Sequence, residues 1–531
     1  MLTGRLGVFR TEPGGRQRLV NEAVAGDAVG EMALLLGEPR SAGVAALRDS
    51  ELLRLRAEAF DALLDRHPQL VLQLTRQLAG RLAHGLRPAP PRPAPRTLAL
   101  LPLGPEPPAA PFARELARAL GRLVPRVAVL AAGEAEDGSG ERLDVLERTH
   151  DLVLYLAEPK PSPWTRLCLR QADQVLLLDR ASRGGESAPE PAVLELLRRG
   201  APRRVDLAVL QPEGAALPSP TAAAAAVRRS AVPIELVCHL RPGRLADRER
   251  LARLITGRAV GLVLSGGGAR GLAHVGVVKA LREAGVPLDL VGGTSMGAVV
   301  AACLAVEWDD AELAGRLRRA FVEANPLRDY TLPFVALVRG RVVASLLRDA
   351  FGAARIEDLW RPFFCLSTNL TSGRAVVHRE GPLWRALRAS AAIPGVLPPV
   401  VEAGEVLVDG GVVNNLPVDV MRGLGRGPVV AVDVAADRAL GRAPAELEDG
   451  SPWRWLARGR RRVPSIAAVL MRAGTVSSAA QGRRMHRAAD LLLRPPLAGV
   501  GMLDWRAFDR AVALGYRHAR QALAGRDLGG R

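Results

Sequence analysis

Short apolar runs separated by amphipathic stretches dominate the chain after residue 96. Between Thr97 and about Gly257 the runs LALLPL, DLVLYL, QVLLLD and VDLAVL alternate with helical patterns such as FARELARALGRL. Unbroken apolar runs of this length are typical of strands that are buried on both faces of a parallel sheet. This region is therefore predicted to be an α/β unit with a largely parallel sheet.

A second α/β rhythm begins at Val260. Its predicted strands are VGLVLSG, LDLVG, FFCLSTNL, AVVH, EVLVDG and VVAVDVA, with helices between several of them. A final amphipathic helix is predicted from Trp505 to about Leu523. The predicted fold class of this region is α/β with a mostly parallel central sheet.

Proline-rich sequence divides the chain. The run RPAPPRPAPR, from Arg87 to Arg96, is too stiff and too poor in backbone donors for helix or sheet, so we interpret it as a linker. We therefore predict four parts: a small N-terminal module at 1–86, the linker at 87–96, a middle α/β region at 97–257, and a last domain at 258–531 with its core at 260–436.

Arginine supplies almost all of the formal charge of +18, since lysine occurs only at Lys160 and Lys279. Clusters of arginine attract anionic surfaces, although a solvated surface is the plain alternative. An aromatic content of 4% leaves few platforms on which bases can stack, so an anionic membrane leaflet is a better partner than nucleic acid. The clustered arginines are Arg458, Arg460, Arg461, Arg462, Arg483, Arg484 and Arg487.

The sequence shows no secretion signal at its start and no apolar run long enough for a membrane span. We therefore expect a cytoplasmic protein, with peripheral contact to the inner face of the membrane as a candidate location. The four cysteines lack the spacing of a disulfide framework or a zinc site, so no metal and no cofactor is expected. These cysteines are Cys168, Cys238, Cys303 and Cys365.

The strand LDLVG runs through Gly293, Ser295 and Gly297 directly into the small-residue helix AVVAACLA. A strand-to-helix turn this sharp needs both glycines, because side chains there would collide with the neighbouring strand and helix. Ser295 would project outward at a helix N-terminus, where the positive end of the dipole favours an alkoxide or an oxyanion. Ser295 is therefore the candidate nucleophile.

A glycine row, Gly266 to Gly268, follows the strand VGLVL and precedes Arg270 and Gly271. The pattern satisfies GxGxxG, which makes a dinucleotide site one interpretation. The acidic residue of such a site would fall near Asp289, which begins a strand rather than ending one. The other interpretation is an oxyanion hole beside Ser295, made of backbone N–H groups with Arg270 as an added positive group.

A serine nucleophile needs a base. Asp409 is the better candidate, because the strand EVLV delivers it into Gly410 and Gly411 at a strand end, where α/β sheets place functional groups. An ordinary turn aspartate is the alternative. The histidines that follow the serine lie beside charged residues or on arginine-rich helical faces, without an evident catalytic setting. They are His378, His486 and His518.

The ordered motifs GGGxRG, GTSMG and DGG resemble the patatin-like phospholipases. The block RASAAIPGVLPPV, from Arg388 to Val400, looks like the family's segment between serine and aspartate. The stretches NPLRDYTLP, IEDLW and NNLPVD resemble the bacterial relatives of neuropathy target esterase. The resemblance extends to the middle region, mainly from Glu147 to Asp173, for which it implies no readable role beyond that of a scaffold.

By this resemblance, Ser295 and Asp409 form a Ser–Asp dyad without histidine, and Gly267, Gly268 and Arg270 help to form the oxyanion hole. The implied substrates are acyl esters of phospholipids or lysophospholipids, which are hydrolysed through an acyl-enzyme without metal or nucleotide. A carboxylate with a pKa near about 3.9 is a weak base toward a hydroxyl. We therefore expect burial beside the serine to raise the pKa of Asp409.

The N-terminal module contains GEMALLLGEPRSA, from Gly30 to Ala42, which is similar to the phosphate-binding cassette of cyclic-nucleotide-binding domains. The similarity implies that Glu31 accepts a hydrogen bond from the ribose hydroxyl and that Arg40 pairs with the cyclic phosphate, with Ser41 in the same site. The β-roll of that family begins with elements that have no counterpart here, so the chain start is truncated or the module is degenerate. An interaction or autoinhibitory domain is the alternative.

Three classes of function remain open on these residues. They are a lipid esterase, a nucleotide-dependent oxidoreductase that uses GxGxxG, and a non-catalytic cyclic-nucleotide sensor or scaffold with a hydrolase-like fold. The oxidoreductase leaves GTSMG and DGG unexplained. A dead enzyme predicts damage to Ser295, Asp409 or the glycine row, and the sequence shows none. The lipid esterase is therefore preferred.

Overall fold

The computed structural model describes the whole chain except residues 3, 12–16, 24–25, 38, 41, 48, 68, 70–93, 105–107, 135–139, 182–188, 200–203, 220–224, 226, 228, 231, 333, 436–480 and 526–531. The described residues divide into two compact units, one at 1–212 and 220–236 and the other at 213–219 and 237–531. The four-part division made from the sequence stays a prediction. Most of its linker, residues 87–93, lies outside the described residues.

The first unit begins with β1 (Leu6–Thr11), β2 (Gln17–Ala23), α1 (Glu31–Leu36), β3 (Gly43–Ala46) and α2 (Ala57–Arg66). The three strands form an antiparallel sheet in the order β2-β1-β3. Leu6 pairs in register with Ala23 on one side and with Ala46 on the other. Leu6, Phe9 and Ala23 are buried, so this sheet has a small apolar core.

The rest of the first unit contains β4 (Thr97–Pro102), α3 (Ala109–Gly121), β5 (Val127–Ala131), α4 (Gly140–Thr149), β6 (Leu152–Leu156), α5 (Pro163–Gln171), β7 (Gln174–Arg180), α6 (Pro191–Arg199) and β8 (Arg204–Leu210). Its strands pair in parallel in the order β5-β6-β4-β7-β8. Every residue of β4 and β8 is buried, as expected for strands covered on both faces. The predicted parallel α/β region is confirmed. The next strand, β9 (Leu236–Leu240), crosses the boundary between the units.

The strands of the second unit follow β9 along the chain. They are β10 (Gly261–Leu264), β11 (Leu290–Thr294), β12 (Phe363–Asn369), β13 (Arg374–His378), β14 (Val400–Glu402), β15 (Glu405–Asp409), β16 (Val429–Val432) and β17 (Leu491–Leu493). The order in the sheet is β14-β15-β12-β11-β10-β16-β17, with β13 paired to β12. The five strands from β12 to β17 in this order pair in parallel, whereas β13, β14 and β15 pair antiparallel. The predicted mostly parallel sheet is confirmed.

The helices of the second unit are α7 (Leu245–Ile255), α8 (Ala273–Glu283), α9 (Met296–Ala305), α10 (Asp310–Arg318), α11 (Arg341–Phe351), α12 (Leu383–Ser390), α13 (Val418–Leu424) and α14 (Phe508–Leu523). All residues of α9 are buried, which explains why this helix is built from small and apolar residues. Helices α8 and α14 approach closely. A Cβ on Gly276 would lie 2.0 Å from the carbonyl oxygen of Val512, so only glycine permits this contact.

Two strands of the second sheet were not predicted from the pattern. Both β14 and β17 have three residues, too few to show alternation or a distinct apolar run. The predicted C-terminal helix is present, but a 3₁₀ turn occupies Trp505–Ala507 and the α-helix starts at Phe508. Helix ends commonly tighten in this way.

Candidate active site

Ser295 stands at the turn between β11 and α9, in a strained backbone conformation. Its φ of 55° and ψ of −125° are unusual for a residue with a side chain. A Cβ on Gly293 would lie 2.5 Å from the carbonyl oxygen of Leu264, and a Cβ on Gly297 would lie 2.3 Å from the same oxygen. The two glycines therefore let the turn pack against the end of β10, as expected for a nucleophile elbow.

Hydrogen bonds from distant parts of the chain hold this turn. The backbone N–H of Ser295 donates to Oγ of Ser390, at 2.9 Å, and the hydroxyl of Thr294 donates to the carbonyl oxygen of Asn414, at 3.1 Å. Ser390 is fully buried at the last position of α12. It lies in the block that resembles the family, but no spacing in the sequence pointed to this contact.

Asp409 is the last residue of β15 and lies beside the serine. Its Oδ1 accepts a hydrogen bond from the N–H of Gly411 at 2.7 Å, and the carboxylate also accepts one from the Ser295 side chain. Burial raises the pKa of Asp409 to about 6, while these two hydrogen bonds act in the opposite direction. A carboxylate with this pKa remains ionised at neutral pH and is a stronger base than an exposed aspartate.

The sequence argument placed Asp409 at the end of its strand, and it did not predict the direction of that strand in the sheet. Strand β15 runs antiparallel to β12, and Asp409 pairs in register with Ser367. On the other side of β12, Thr294 pairs with Leu366, one residue before Ser367. The antiparallel register therefore sets Asp409 level with the elbow.

The glycine row packs against the elbow. A Cβ on Gly266 would lie 3.1 Å from Cβ of Ser295, and a Cβ on Gly271 would lie 2.4 Å from Cγ of Met296. Gly268 has a φ of 56°, and a Cβ there would lie 2.3 Å from the carbonyl oxygen of Met502. Side chains are thus excluded from the row, which brings its backbone close to the serine.

The N–H groups of Gly267 and Gly268 are the candidate oxyanion donors. Neither group meets an acceptor within the part of the chain that the structure describes. The Arg270 side chain binds the backbone that follows β16. Its Nε donates to the carbonyl oxygen of Val434 at 2.8 Å, and its Nη2 contacts the carbonyl oxygen of Ala435 at 3.4 Å. These bonds fasten the row to the end of β16. A role for Arg270 in the oxyanion hole stays a prediction.

Two further hydrogen bonds hold Ser265, the residue before the glycine row, and they were not predicted. His274, fully buried in α8, places Nε2 at 2.9 Å from the carbonyl oxygen of Ser265, and the hydroxyl of Ser265 accepts a hydrogen bond from the N–H of Val434 at 2.9 Å. Burial lowers the pKa of His274 to about 4, so this imidazole is neutral at physiological pH.

The three histidines considered as bases each have another partner. Nε2 of His378 lies 2.7 Å from Oγ of Ser367, and Nε2 of His486 lies 2.8 Å from Oδ2 of Asp433. His518 accepts a hydrogen bond from the backbone N–H of Arg494 at 3.1 Å. None of these contacts joins a histidine to Ser295.

Ser295 borders an apolar cavity of about 860 Å³, its open mouth included. Gly268 also lines it, and α9, α10 and α11 supply much of its wall. Arg316 carries the charge among the lining residues. The remaining lining residues are Met296, Val299, Cys303, Trp308, Leu317, Ala320, Phe321, Pro326, Leu327, Val343, Leu346, Leu347, Ala350, Phe351, Ala391, Ile393, Leu397, Leu503 and Trp505.

The residues predicted to hold a cyclic nucleotide lie around α1. Glu31 is the first residue of this helix and is buried, whereas Arg40 is exposed. A Cβ on Gly30, which has a φ of 88°, would lie 2.2 Å from Nη1 of Arg40, so the guanidinium packs over this glycine. Ser41 lies outside the described residues.

Of the predicted arginine clusters, Arg483, Arg484 and Arg487 are exposed in a helical run at 481–488, while Arg458 to Arg462 lie outside the described residues. Among the described helices, none is both long and apolar enough to cross a membrane. The described residues also contain no group of three or more His, Cys, Asp or Glu side chains that would hold a metal ion.

Three family models match separate parts of the chain. A model described as patatin-like phospholipase matches residues 262–422, which include the glycine row, the elbow and Asp409. A cyclic nucleotide-binding domain matches residues 1–67, and a neuropathy target esterase family P-loop like domain matches residues 95–228. The fold and the site thus define a chain with a patatin-like phospholipase domain.

Relatives match nearly the whole chain. An NTE family protein of Mycobacterium bovis is 33% identical over 519 residues, which are 94% of this chain and 85% of that protein. The chain therefore belongs to the NTE family, the family of neuropathy target esterase, as the motif resemblance predicted.

Two longer relatives carry names that state an activity. Human patatin-like phospholipase domain-containing protein 6 is 32% identical over 99% of this chain, and lysophospholipase nte1 of Neosartorya fischeri is 30% identical over 98% of it. The chain spans 43% of the human protein and 40% of the fungal protein, which is less than half of each.

Proposed function

We propose that this chain hydrolyses acyl ester bonds of phospholipids or lysophospholipids, with Ser295 as nucleophile and Asp409 as general base. The observation that carries the proposal is the contact between these two buried side chains, together with the apolar cavity that Ser295 lines. Membership of the NTE family and the names of the phospholipase and lysophospholipase relatives support the same chemistry.

In the proposed reaction, the Ser295 oxygen attacks the ester carbonyl carbon while its proton passes to Asp409. The tetrahedral intermediate then collapses and the bond to the leaving alkoxide breaks, with Asp409 returning the proton to that oxygen. An acyl-enzyme remains on Ser295. Water then attacks it, again with Asp409 as base, and the fatty acid leaves with Ser295 regenerated. The complete cycle consumes one ester bond and one water molecule, releases an alcohol and a fatty acid, and restores Ser295 and Asp409.

The surroundings of the dyad support each step. In this proposal the N–H groups of Gly267 and Gly268 donate hydrogen bonds to the negative oxygen of the intermediate, and the positive end of the α9 dipole adds to its stabilisation. The strained φ of Ser295 keeps its hydroxyl presented at the turn. The apolar lining excludes water, which strengthens these electrostatic contacts and accepts an acyl chain.

The test is hydrolysis of a lysophospholipid and of a soluble short-chain aryl ester, together with labelling by a fluorophosphonate probe. We expect wild type to hydrolyse both substrates and to be labelled, Ser295→Ala to do neither, and Asp409→Asn to lose most turnover. A wild-type protein that is inert and unlabelled would favour the non-catalytic sensor instead.

The chain offers a matched control on its surface. Ser345 and Asp349 form an exposed serine–aspartate pair on α11, with 3.3 Å between Oγ and Oδ2. Ser345→Ala and Asp349→Asn make the same chemical changes away from the elbow, and we expect both to retain wild-type turnover and labelling. If they lose activity as fully as the dyad variants, the loss does not identify a dyad.

We further propose that the N-terminal module binds a cyclic nucleotide. The match to a cyclic nucleotide-binding domain and the position of Arg40 over Gly30, next to Glu31, support this. A fluorescent cyclic nucleotide should bind the full chain, and Arg40→Ala should weaken binding, whereas Arg10→Ala, an exposed arginine on β1, should not. Hydrolysis measured with and without the nucleotide tests whether binding regulates the rate.

A further inference from the structure

An exposed apolar segment, residues 330–337, projects from the second unit. Single exposed apolar side chains are ordinary on protein surfaces, but a contiguous group marks an interaction site. The largest exposure is 88%, at Phe334. The exposed members are Tyr330 at 71%, Leu332 at 72%, Phe334 at 88%, Val335 at 67% and Leu337 at 41%. Pro333 lies outside the described residues.

The base of the exposed segment is held firmly. Tyr330 and Val338 form an antiparallel bridge, and the N–H of Thr331 donates to the carbonyl oxygen of Leu337 at 3.0 Å. Ala336 and Val338 are 4% and 2% exposed, respectively. The apolar side chains at the tip are therefore displayed by a hairpin-like loop with buried anchors.

The exposed segment adjoins the cavity that leads to Ser295. Pro326 and Leu327 precede it in the chain and line the cavity. The N–H groups of Leu337 and Val338 donate to the carbonyl oxygens of Gly395 and Val396, at 3.0 and 3.2 Å. Ile393, two residues before that pair, and Leu397, directly after it, also line the cavity. The segment thus stands beside the wall of the acyl site.

Positive charge flanks the exposed segment. Arg328 precedes it, Arg339 and Arg341 follow it, and all three are exposed. Asp329 is the acidic residue between 325 and 341, and its Oδ2 accepts a hydrogen bond from the backbone N–H of Arg341 at 2.7 Å. An apolar tip between arginines matches the interface of an anionic bilayer, with acyl chains below and negative headgroups around.

We propose that residues 330–337 are a membrane-docking loop, which inserts into the surface of an anionic phospholipid bilayer and holds the cavity mouth against it. The proposal rests on the lipid hydrolysis proposed above. It explains how an acyl chain reaches Ser295, since docking lets the chain pass from bilayer to cavity with little exposure to water. Insertion of the apolar tip and attraction of the arginines act together.

Vesicle binding tests the proposal without hydrolysis. All proteins carry Ser295→Ala, and flotation is measured with phosphatidylcholine vesicles that contain or lack phosphatidylglycerol. Leu332→Ser with Phe334→Ser should weaken partitioning onto the anionic vesicles by about tenfold or more. Arg339→Gln should weaken it by about fivefold, and only on anionic vesicles. Leu53→Ser, which alters a leucine of similar exposure at 76%, is the matched control and should bind as before.

A site-specific fluorophore locates the contact. The four native cysteines are buried, so a thiol-reactive environment-sensitive dye should label Phe334→Cys selectively. On anionic vesicles its emission should shift to the blue and be quenched by brominated lipid, while the same dye on Leu53→Cys should show neither change. Equal binding by the loop variants, or no spectral change at residue 334, overturns the proposal. A blue shift that needs no vesicles and accompanies a doubled mass assigns the segment to a second copy of the chain instead.

The two proposals fail separately. If the soluble aryl ester and the lysophospholipid are both left intact by wild type but the dye at residue 334 still enters the bilayer, the proposed hydrolysis is wrong and the docking loop stands. If both substrates are hydrolysed and the loop variants bind vesicles as well as the wild-type loop does, only the proposal of a docking loop is wrong. The loop substitutions, made also in a protein that keeps Ser295, should leave turnover of the soluble ester at the wild-type level, which shows that the variants are folded.

Discussion

The described residues form one parallel sheet in the first unit and one mostly parallel sheet in the second, and these two sheets differ in what stands at the ends of their strands. In the first unit, the cavity at the carboxyl ends of β4, β5 and β6 is lined by Pro102, Gly104, Ala131, Ala157 and other small residues, with Glu158 as its ionisable side chain. In the second unit, the end of β11 carries a strained serine with a buried carboxylate beside it. A parallel α/β sheet therefore provides a position for a functional site at its strand ends, and the side chains at that position determine which reaction can occur there.

The largest effect should come from Ser295→Ala. Without the hydroxyl no acyl-enzyme forms, so we expect kcat/KM for an aryl ester to fall by about 10⁴-fold or more. Steady-state turnover measures the loss, and a circular dichroism spectrum equal to that of wild type shows that the fold is intact. Residual turnover within tenfold of wild type would mean that Ser295 is not the nucleophile, and the second sheet would then not differ from the first by a reactive serine.

Asp409→Asn should lower turnover by about 10³-fold, because the amide cannot accept the serine proton. It should also stabilise the fold at high pH. Burial raises the folded-state pKa from 3.8 to about 6, so the unfolded chain loses this proton at lower pH than the folded chain. The resulting loss of stability begins above pH 3.8 and is complete above about pH 6.

The expected gain from Asp409→Asn at pH 8 is about 2 kcal/mol, and it should shrink as the pH falls toward the ordinary carboxyl value. Thermal unfolding at pH 8 and pH 4.5 measures it. A lower melting temperature at pH 8 would mean that the ionised carboxylate stabilises the structure, contrary to the burial of this group.

Ser390→Ala should have an intermediate effect. It removes the acceptor for the N–H of Ser295, a bond of 2.9 Å in a buried site, and so loosens the strained turn. We expect turnover to fall by about tenfold, with a lower melting temperature. Thr256→Val is the control, because Thr256 is buried in the same unit and its hydroxyl donates to backbone carbonyl oxygens of α7. It should lose stability without a comparable loss of turnover.

The smallest effect should come from the sheet of the first unit. Glu158→Gln neutralises the ionisable side chain of the cavity beside β6, and we expect ester hydrolysis to change by less than about twofold. The same steady-state assay applies. A loss of tenfold or more would mean that the cavity of the first sheet contributes to the reaction, contrary to the proposed difference between the two sheets.

The sequence was most informative where spacing over a few residues encodes a turn. The glycines around Ser295, the row from Gly266 to Gly268 and the pair after Asp409 all mark close backbone approaches that the structure contains. The parallel strands were predictable for a similar reason, since burial on both faces leaves long apolar runs.

Long-range placement was not readable from the same patterns. Ser390 lies 95 residues from Ser295 in the chain, and only the packing of α12 brings them together. The antiparallel direction of β15, which sets Asp409 beside the elbow, leaves no mark on its five residues. The exposure of segment 330–337 was likewise not readable, because an apolar composition does not state which side chains face solvent.

The pH dependence of kcat/KM tests the Ser–Asp dyad most directly. Burial lowers the pKa of His378 from 6.5, so this histidine is a second titrating group, and the profile is measured for wild type and for His378→Gln. With Asp409 as base, kcat/KM for the aryl ester should rise with pH through about 6 in both proteins. A profile that is flat in His378→Gln, or activity that disappears in it, would contradict the dyad and assign the base to histidine.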